Sequence, residues 1–432
     1  MKNKTTKTIK GAALLLTTLF LAIYPAAAQE YVVSYTGHEI KDQIIRAIDN
    51  TTNLVCNNFS TNGYAFIMQK DGVTSFDYVF LSNDITAISD FEIYNDTVFF
   101  CGTISKAYGD IGLFGYFPLV DFPNPVVTYI EIPWMSTLKR MEVARFADSL
   151  HVVTTAKTLS GRSAIIDALN KITYWNVNYY IADSSVVSFD DVAISSNYVV
   201  FSSLVSGRTF NSGRFWFVSK PTSSGASIMP ASATTRSFSI AGSPILLQAC
   251  RADTILAVFP YGLLTMLPVT LPVRIMTFNG IYNINNFSFS KTADLVYLKN
   301  IRYNKTDRLL GIDIITATAG TTHSHIYTFK HPVAPLPSSI QSHGYANVGI
   351  NSIDAISSNQ FVAAGKYGNG LYMFKFTHNI WNNCFDNDTV QIVTNSYNFI
   401  PNNAYLRGDS LGVLIKTMNT SKKNDTMQNI CN

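Results

Sequence analysis

Short apolar runs separated by polar turns recur along most of the chain. The clearest unit runs from Asp90 to Gly102, where an apolar strand, a polar Asn95-Asp96 turn and a second apolar strand follow one another. Apolar, β-branched and aromatic runs bounded by Asn, Asp, Ser or Gly are typical of strands joined by hairpins. The pattern therefore predicts a chain built from β-hairpins.

The same turn recurs at a near-constant interval. Its reference Asp or Asn lies at Asp96, Asp148, Asn197, Asp253, Asp307, Asn359 and Asp409. The successive spacings are 52, 49, 56, 54, 52 and 50 residues, and a fixed period in this range predicts a solenoid or a propeller rather than separate domains. Asp and Asn suit such a turn because they tolerate left-handed backbone angles.

Further strands follow the turn within each period. Candidate third strands lie at 111–117, 214–219, 272–278, 325–329 and 371–376. Three or four strands in about 50 residues match one blade of a β-propeller. We therefore predict an all-β chain with the β-propeller fold.

The number of blades depends on how the last unit is completed. Residues 90–396 supply six full units, whereas 404–418 supply only two strands. Seven blades result if residues 63–81 complete the last unit. Eight result if residues 40–81 form their own blade and only 31–35 close the ring, and six is the remaining alternative. We favour seven, closed by pairing of the amino- and carboxy-terminal strands, because closure removes exposed sheet edges.

Composition supports the all-β assignment. Hydrophobic residues make up 47% of the chain and charged residues only 14%, with 28 Phe and 23 Tyr that favour strands. Glu occurs five times and never after Glu142, so helices with Lys–Glu faces are not expected.

Residues 1–28 have the features of a secretory signal peptide. Four Lys precede a short apolar stretch, and Ala26-Ala27-Ala28 provides a small-residue cleavage site. We expect cleavage between Ala28 and Gln29, export to the periplasm or the extracellular space, and no transmembrane segment in the mature chain. Residues 29–419 are then a single propeller domain, and 420–432 a polar, loosely ordered tail.

Removal of the signal peptide changes the charge of the chain. The four Lys it takes away leave 32 − 4 = 28 basic residues against 28 acidic ones, which is a formal net charge of zero. Nucleic-acid binding draws much of its affinity from neutralised phosphates, so we do not expect a nucleic-acid partner.

Motifs for chemistry are scarce. His323 and His325 alternate along a predicted strand, where two imidazoles on one face are either a metal site or ordinary surface histidines. Asp190-Asp191 departs from the repeat turns and is a candidate cation or acid site. No nucleophile motif, dinucleotide motif or phosphate loop is present. We expect no enzymatic activity and no cofactor.

Other candidate sites rest on aromatic residues and cysteines. Trp134, Trp175 and Trp381 are candidates for stacking on sugar rings. Cys384 and Cys431 are the one pair to test as a disulfide, whereas the other cysteines fit buried thiols.

In period and strand pattern the chain resembles kelch-length propeller repeats, and in overall style it resembles uncharacterised secreted propellers of Bacteroidales-type bacteria. The Asp-Ser/Thr-apolar triplets resemble the O-glycosylation sequence of exported proteins from such bacteria. That resemblance implies modification at Thr97, Ser149, Thr254 or Ser410. Arg407-Gly408-Asp409 is an adhesion-type tripeptide on a predicted exposed turn.

The sequence thus favours a secreted, non-enzymatic propeller that binds an unidentified protein or glycan through loops at one end of the ring. A carbohydrate-binding propeller and an enzyme of unrecognised type are the two alternatives.

Overall fold

A computed structural model describes most of the chain. It covers residues 30–33, 40–59, 63–70, 75–81, 84–171, 174–207, 211–228, 230, 233–239, 244–251, 253–260, 269–293, 295–304, 308–318, 321–330, 339–346, 349–356, 360–367, 370–378, 386–391, 393–394, 406–413, 415–418 and 420–429. Residues 1–28, predicted to be a signal peptide, lie outside the described residues.

Nearly all described elements are strands. In chain order they are β1 (Glu30–Val33), β2 (Ile40–Ala47), β3 (Thr52–Phe59), β4 (Tyr64–Lys70), β5 (Ser75–Phe80), β6 (Ile85–Tyr94), β7 (Thr97–Ile104), β8 (Ile111–Pro118), β9 (Val127–Ile132), β10 (Met135–Phe146), β11 (Ser149–Thr158), β12 (Ser163–Lys171), β13 (Tyr174–Ala182), β14 (Val186–Ile194), β15 (Tyr198–Val205), β16 (Ser212–Ser219) and β17 (Thr234–Ser239). They continue with β18 (Leu246–Arg251), β19 (Thr254–Pro260), β20 (Val269–Asn279), β21 (Tyr282–Ala293), β22 (Leu295–Asn304), β23 (Leu309–Thr318), β24 (Thr321–Lys330), β25 (Ser339–Ala346), β26 (Gly349–Ala355), β27 (Gln360–Tyr367), β28 (Gly370–Thr377), β29 (Asp386–Gln391), β30 (Val393–Thr394), β31 (Leu406–Val413), β32 (Lys416–Met418) and β33 (Ser421–Asn429). A short 3-10 helix spans Leu119–Asp121.

These strands form seven groups of four antiparallel strands, which we call blades 1 to 7. Blades 1 to 6 take β2–β5, β6–β9, β10–β13, β14–β17, β18–β21 and β22–β25, and blade 7 combines β26–β28 with the amino-terminal strand β1. The first strand of each blade contacts those of both neighbouring blades, and β26 contacts β2. The first strands therefore close a ring around a central channel, which confirms the predicted β-propeller fold.

Two of the repeat turns have the predicted left-handed backbone, whereas the turn residue Asn197 has no positive φ. Asn95 and Asp96 have φ of 46° and 55°, and Ala147 and Asp148 have φ of 41° and 69°. Two consecutive positive φ angles define the tight hairpin turn that matches strand twist. The five predicted third strands fall within β8, β16, β20, β24 and β28.

Apolar faces meet between adjacent blades. Between blades 1 and 2, the ring of Phe66 lies 5.4 Å from that of Phe91 and 5.2 Å from that of Phe117, both edge-on. All three side chains are fully buried. Burial of one such ring stabilises the fold by about 1.5–3 kcal/mol, so the packing of adjacent blades contributes to stability.

The carboxy-terminal strands β29 to β33 form what we call the belt. They lie on the outer edges of the blades and run in the opposite order to the blades themselves: β29 pairs with β25, β30 with β21, β31 with β13 and β32 with β9. Finally, β33 pairs first with β5 and then with β1. In the described part of the chain, blade 4 has no belt strand.

The belt changes three sequence-based expectations. Residues 404–418 are not a blade half, because β31 and β32 add to blades 3 and 2, and residues 63–81 instead complete blade 1. Asp409 lies inside β31 and not at a turn. Residues 421–429 form a paired strand where a loose tail was expected. The expected pairing of the two chain ends is confirmed, with Tyr31 opposite Asn429.

Candidate ligand site in the central channel

The first strands share an irregularity that sets which side chains reach the channel. In β6 the register shifts between Ile88 and Asp90, and similar shifts occur in β10, β14, β22 and β26. The residue after the shift and the residue two positions later share one face of the strand. We call the first set the latch layer: Ile44, Asp90, Arg140, Asp191, Leu246, Asn300 and Ser352. We call the second set the ring layer: Arg46, Glu92, Glu142, Ala193, Gln248, Arg302 and Asp354.

Polar side chains of the latch layer connect several blades to the backbone of the next blade. Backbone N–H groups donate to side-chain oxygens in three such contacts: Met141 to Asp90 at 3.2 Å, Leu247 to Asp191 at 2.8 Å, and Ile45 to Ser352 at 3.2 Å. In the last two contacts, Leu247 of β18 and Ile45 of β2 donate in the same way as Met141 of β10. We therefore place the residues before them, Leu246 and Ile44, in the latch layer. These bonds satisfy buried backbone groups and fix the spacing of the blades.

Asp190 and Asp191 belong to these connections. Asp190 accepts a hydrogen bond from Ile245 N at 3.0 Å, one blade away. Burial raises the pKa of Asp191 to about 6 despite the nearby Arg140 and its backbone donors. Both carboxyl groups therefore hold blade 5 against blade 4, which accounts for the acidic pair without a bound cation.

Two arginines of the ring layer are held by carboxylates. Arg46 lies 2.6 Å from Asp90 and 3.0 Å from Glu92, measured between side-chain nitrogen and oxygen atoms. Arg302 lies 3.4 Å from Glu92 and 3.3 Å from Asp354. Asp354 also accepts a hydrogen bond from Ala47 N at 2.8 Å, which joins blade 7 to blade 1. Glu92 is thus shared by both arginines.

Arg46 is the most deeply buried member of this network. Its side chain is only 4% exposed, and its guanidinium lies 5.2 Å from the centre of the Phe91 ring. Burial alone lowers the pKa of Arg46, but Glu92, Asp90 and Asp354 outweigh that effect and raise it. The guanidinium therefore stays charged inside the ring.

Glu142 differs from the other carboxyl groups of the ring layer. Among the described residues, its side chain has no hydrogen bond and no ion pair within contact distance, although it is half-buried. Burial raises its pKa well above the usual range, and the negative charge of Glu92 adds to this effect while Arg302 opposes it. Two blades away, Gln248 has a buried Oε1 atom that accepts no hydrogen bond.

A cavity of about 260 Å³ opens among these side chains. The lining comes from the ring layer and the residues beside it: Arg46, Ala47, Glu92, Ile93, Glu142, Gln248, Arg302, Tyr303, Asp354 and Ala355. It lies toward the ends of the first strands that lead into the first hairpin turns. Six of the seven blades contribute to it, so it occupies one end of the channel, which we call the ring-end cavity.

The histidine pair lies on the third strand of blade 6. The rings of His323 and His325 stack at 6.2 Å on one face of β24. In the described part of the chain, no three His, Cys, Asp or Glu side chains come close enough to hold one metal ion. A metal at this pair stays a hypothesis.

The tryptophans predicted to stack on sugar rings differ in their burial. The role predicted for Trp175 is wrong, because its side chain is fully buried against Phe114 with ring centres 5.0 Å apart. Trp134 is half-buried and lies 5.4 Å from the Tyr179 ring. Trp381 lies outside the described residues.

The remaining candidates are on strand ends, the belt or outside the described residues. Thr97, Ser149 and Thr254 are half-buried at the starts of β7, β11 and β19, whereas Ser410 is exposed. Arg407, Gly408 and Asp409 are exposed within β31. Cys384 and Cys431 lie outside the described residues, and the described Cys56, Cys101 and Cys250 are buried.

Sequence reasoning missed the ring-end cavity. The available signal was a charged residue flanked by apolar ones before the repeat turn, as in Phe91-Glu92-Ile93 and Met141-Glu142-Val143. Both Glu92 and Glu142 belong to a residue type that occurs only five times in the chain. A charge inside an otherwise apolar strand indicates either a partner or a site.

Comparison with known proteins gives likeness at the level of overall shape only. No family model and no curated protein matches the chain. Among solved structures, a Bombyx mori GH32 beta-fructofuranosidase in complex with sucrose aligns at 6% identity and a TM-score of 0.30, covering 91% of this chain and 98% of that one. A second structure of that enzyme gives 8% identity, a TM-score of 0.32, and coverage of 90% and 98%.

The beta-propeller domain of Nup133 from Vanderwaltozyma polyspora aligns at 9% identity and a TM-score of 0.26, covering 81% of this chain and all of that one. Within the described ranges, no helix is both long and apolar enough to span a membrane.

Proposed function

We propose that the protein is an exported, non-enzymatic binding propeller that takes part of its ligand into the ring-end cavity. The observation that carries this proposal is the convergence of ring-layer side chains from six blades on one cavity of about 260 Å³. A volume of this size accommodates a small group rather than a whole polymer. The cavity therefore suits the recognition of one residue or one end of a larger partner.

The fixed positions of the charged side chains support a binding role. Arg46 and Arg302 are already paired with carboxylates, so their positions are fixed before a ligand arrives. Such preorganisation reduces the entropic cost of binding.

The alternative of a carbohydrate-binding propeller has weaker support. Of the three tryptophans considered for stacking, Trp175 is buried and Trp381 is outside the described residues. Trp134 alone supports that alternative, and part of its surface is already covered by Tyr179.

A ligand screen with a matched pair of variants tests the proposal. Thermal unfolding of the chain from Gln29 onward is measured with glycans, peptides and small polar molecules, since a ligand specific for the folded state raises the melting temperature. Ala355→Phe adds bulk inside the cavity, and Val187→Phe adds the same bulk at an exposed position away from it. We expect a ligand that stabilises the native protein and Val187→Phe but not Ala355→Phe. Equal stabilisation of both variants would place binding elsewhere and contradict the proposal.

A further inference from the structure

We infer that the ring-end cavity binds an organic cation, an ammonium or guanidinium group, with the Glu142 carboxylate as its counter-charge and Gln248 Oε1 as a second acceptor. This inference rests on the proposed function and names the chemical class of the ligand. It also assigns a role to the one ring-layer carboxylate that the arginines leave without a contact.

The charge balance around the cavity favours a cation. The cavity lining contains two arginines, Arg46 and Arg302, and three carboxylates, Glu92, Glu142 and Asp354. When all are ionised, their formal charge is 2 − 3 = −1. Low-dielectric surroundings strengthen the attraction between such an excess and a positive ligand.

The free hydrogen-bonding capacity also consists of acceptors. Arg46 and Arg302 donate to carboxylates that are already close, whereas Glu142 and Gln248 Oε1 have acceptor positions without donors. Ammonium and guanidinium groups carry several N–H donors and no acceptor. Such groups therefore supply the donors that Glu142 and Gln248 Oε1 lack.

Both acceptors line the same cavity of about 260 Å³. Glu142 lies on blade 3 and Gln248 on blade 5, and the ring-layer residue of the intervening blade 4 is Ala193, which has the smallest side chain of the seven. We place the nitrogen group of the ligand in this cavity, between the two acceptors. A divalent metal fits less well, because within the described residues no three candidate ligand side chains converge.

Binding should release a proton in part of the population. Burial and the carboxylates of Glu92, Asp191 and Asp90 raise the pKa of Glu142, and Arg302 opposes them. A cation that pairs with Glu142 favours its ionised form, so the proton leaves as the ligand enters. The same group therefore links affinity to pH.

The test uses cations from two sources with an uncharged counterpart. Agmatine represents a free organic cation, a short arginine-containing peptide represents a protein side chain, and the same peptide with citrulline keeps the shape without the charge. Calorimetric titrations into the chain from Gln29 onward, in two buffers of different ionisation enthalpy, give affinity and proton release. We expect the arginine peptide, agmatine or both to bind at least tenfold more tightly than the citrulline peptide, with measurable proton release.

Variants separate this inference from the proposed function. Glu142→Gln keeps the side-chain shape and should weaken cation binding at least tenfold and abolish proton release. Glu131→Gln is the control: Glu131 lies on β9 of blade 2 and pairs with Lys106 and with Lys416 of the belt. This variant should change neither the affinity for the cation nor the proton release. A circular dichroism melt verifies that both variants fold.

Several results would overturn the inference. Equal binding of arginine and citrulline peptides, unchanged affinity in Glu142→Gln, or Glu142-dependent binding of Ca²⁺ or Zn²⁺ in place of the organic cations would each do so. If cations fail but another ligand is blocked by Ala355→Phe, the proposed function survives and only the cation assignment falls. If no ligand distinguishes Ala355→Phe from Val187→Phe, both fall.

Discussion

The innermost and outermost strands of this propeller connect the same blades by different means. Inside, single side chains reach across from one blade to the next, as Asp90 does to Met141 and Asp354 to Ala47. Outside, the belt connects blades through main-chain ladders. In β31 the consecutive residues 407–410 are all exposed to solvent. The inner connections depend on residue identity, whereas the outer ones depend on backbone pairing.

This difference indicates where function can be placed. Backbone ladders tolerate many side chains, so the belt can close the ring without constraining chemistry. The inner layers bring charged groups together in a buried setting, where pairing and pKa values respond to each substitution. We therefore assign stability to the belt and recognition to the ring layer.

Removal of the belt should have the largest effect. A chain that ends at residue 385 loses the outer strand of blades 2, 3, 5 and 6 and the strand β33, which joins β5 to β1. We expect a fall in melting temperature of more than about 10 °C, with aggregation through the exposed edges. Circular dichroism melting and size-exclusion chromatography measure both effects. A control chain that ends at residue 429 should behave as the full chain, and a stable, monomeric truncation at 385 would contradict the account.

Arg46→Met should cost about 3–5 kcal/mol, because it leaves the buried carboxylates of Asp90 and Glu92 without their cation. Urea unfolding gives the difference in free energy. Burial raises the pKa of Glu92, so lowering the pH should recover part of the loss as this carboxyl group takes up a proton. Arg302→Met, with a side chain 17% exposed, is the matched comparison and should cost less. Equal losses for both would contradict the placement of Arg46 at the centre of the network.

Asp313→Asn should stabilise the protein at neutral pH. Asp313 on β23 is completely buried, neither carboxyl oxygen has a hydrogen bond, and burial raises its pKa well above the usual range. The folded state keeps a proton that the unfolded chain releases, so this residue's contribution to stability is lost as the pH rises from its ordinary pKa toward the raised one. Urea unfolding at pH 4 and pH 8 should show a gain of about 1 kcal/mol or more at pH 8 only. A gain that is independent of pH would show that charge is not the cause.

Ser410→Ala should have the smallest effect. Ser410 is exposed on the belt, and its register partner Asn178 is matched through the backbone. We expect a change within about 0.5 kcal/mol in the same unfolding assay. A loss above 1.5 kcal/mol would mean that belt side chains contribute more than backbone pairing. Intact mass of the protein purified from its natural source separately tests for glycosylation at this residue.

The blades could be predicted from the sequence, but the connections between the blades could not. Hairpin turns such as Asn95-Asp96 are local, so a period of about 50 residues was enough to predict the propeller. The belt was not predictable in this way, because β31 pairs with residues more than 220 positions earlier, as Tyr179 does with Asp409. Asp409 matches the repeat spacing and so predicts a turn, but it lies within β31.

The ring-end cavity was missed for a related reason. Glu92 and Arg302 are 210 positions apart, and Ala47 and Asp354 are 307 apart. Each charged residue is locally unremarkable beside its apolar neighbours. Their convergence is a property of the closed ring, which places equivalent positions of successive blades around one axis.

Hydrogen exchange with and without a bound ligand tests the division between the two regions most directly. The ligand is one that stabilises the native protein and Val187→Phe but not Ala355→Phe, and exchange is followed by mass spectrometry of the chain from Gln29 onward. We predict slower exchange confined to the first strands β2, β6, β10, β18, β22 and β26, with β31, β32 and β33 unchanged. Protection of the belt with the first strands unaffected would contradict the account.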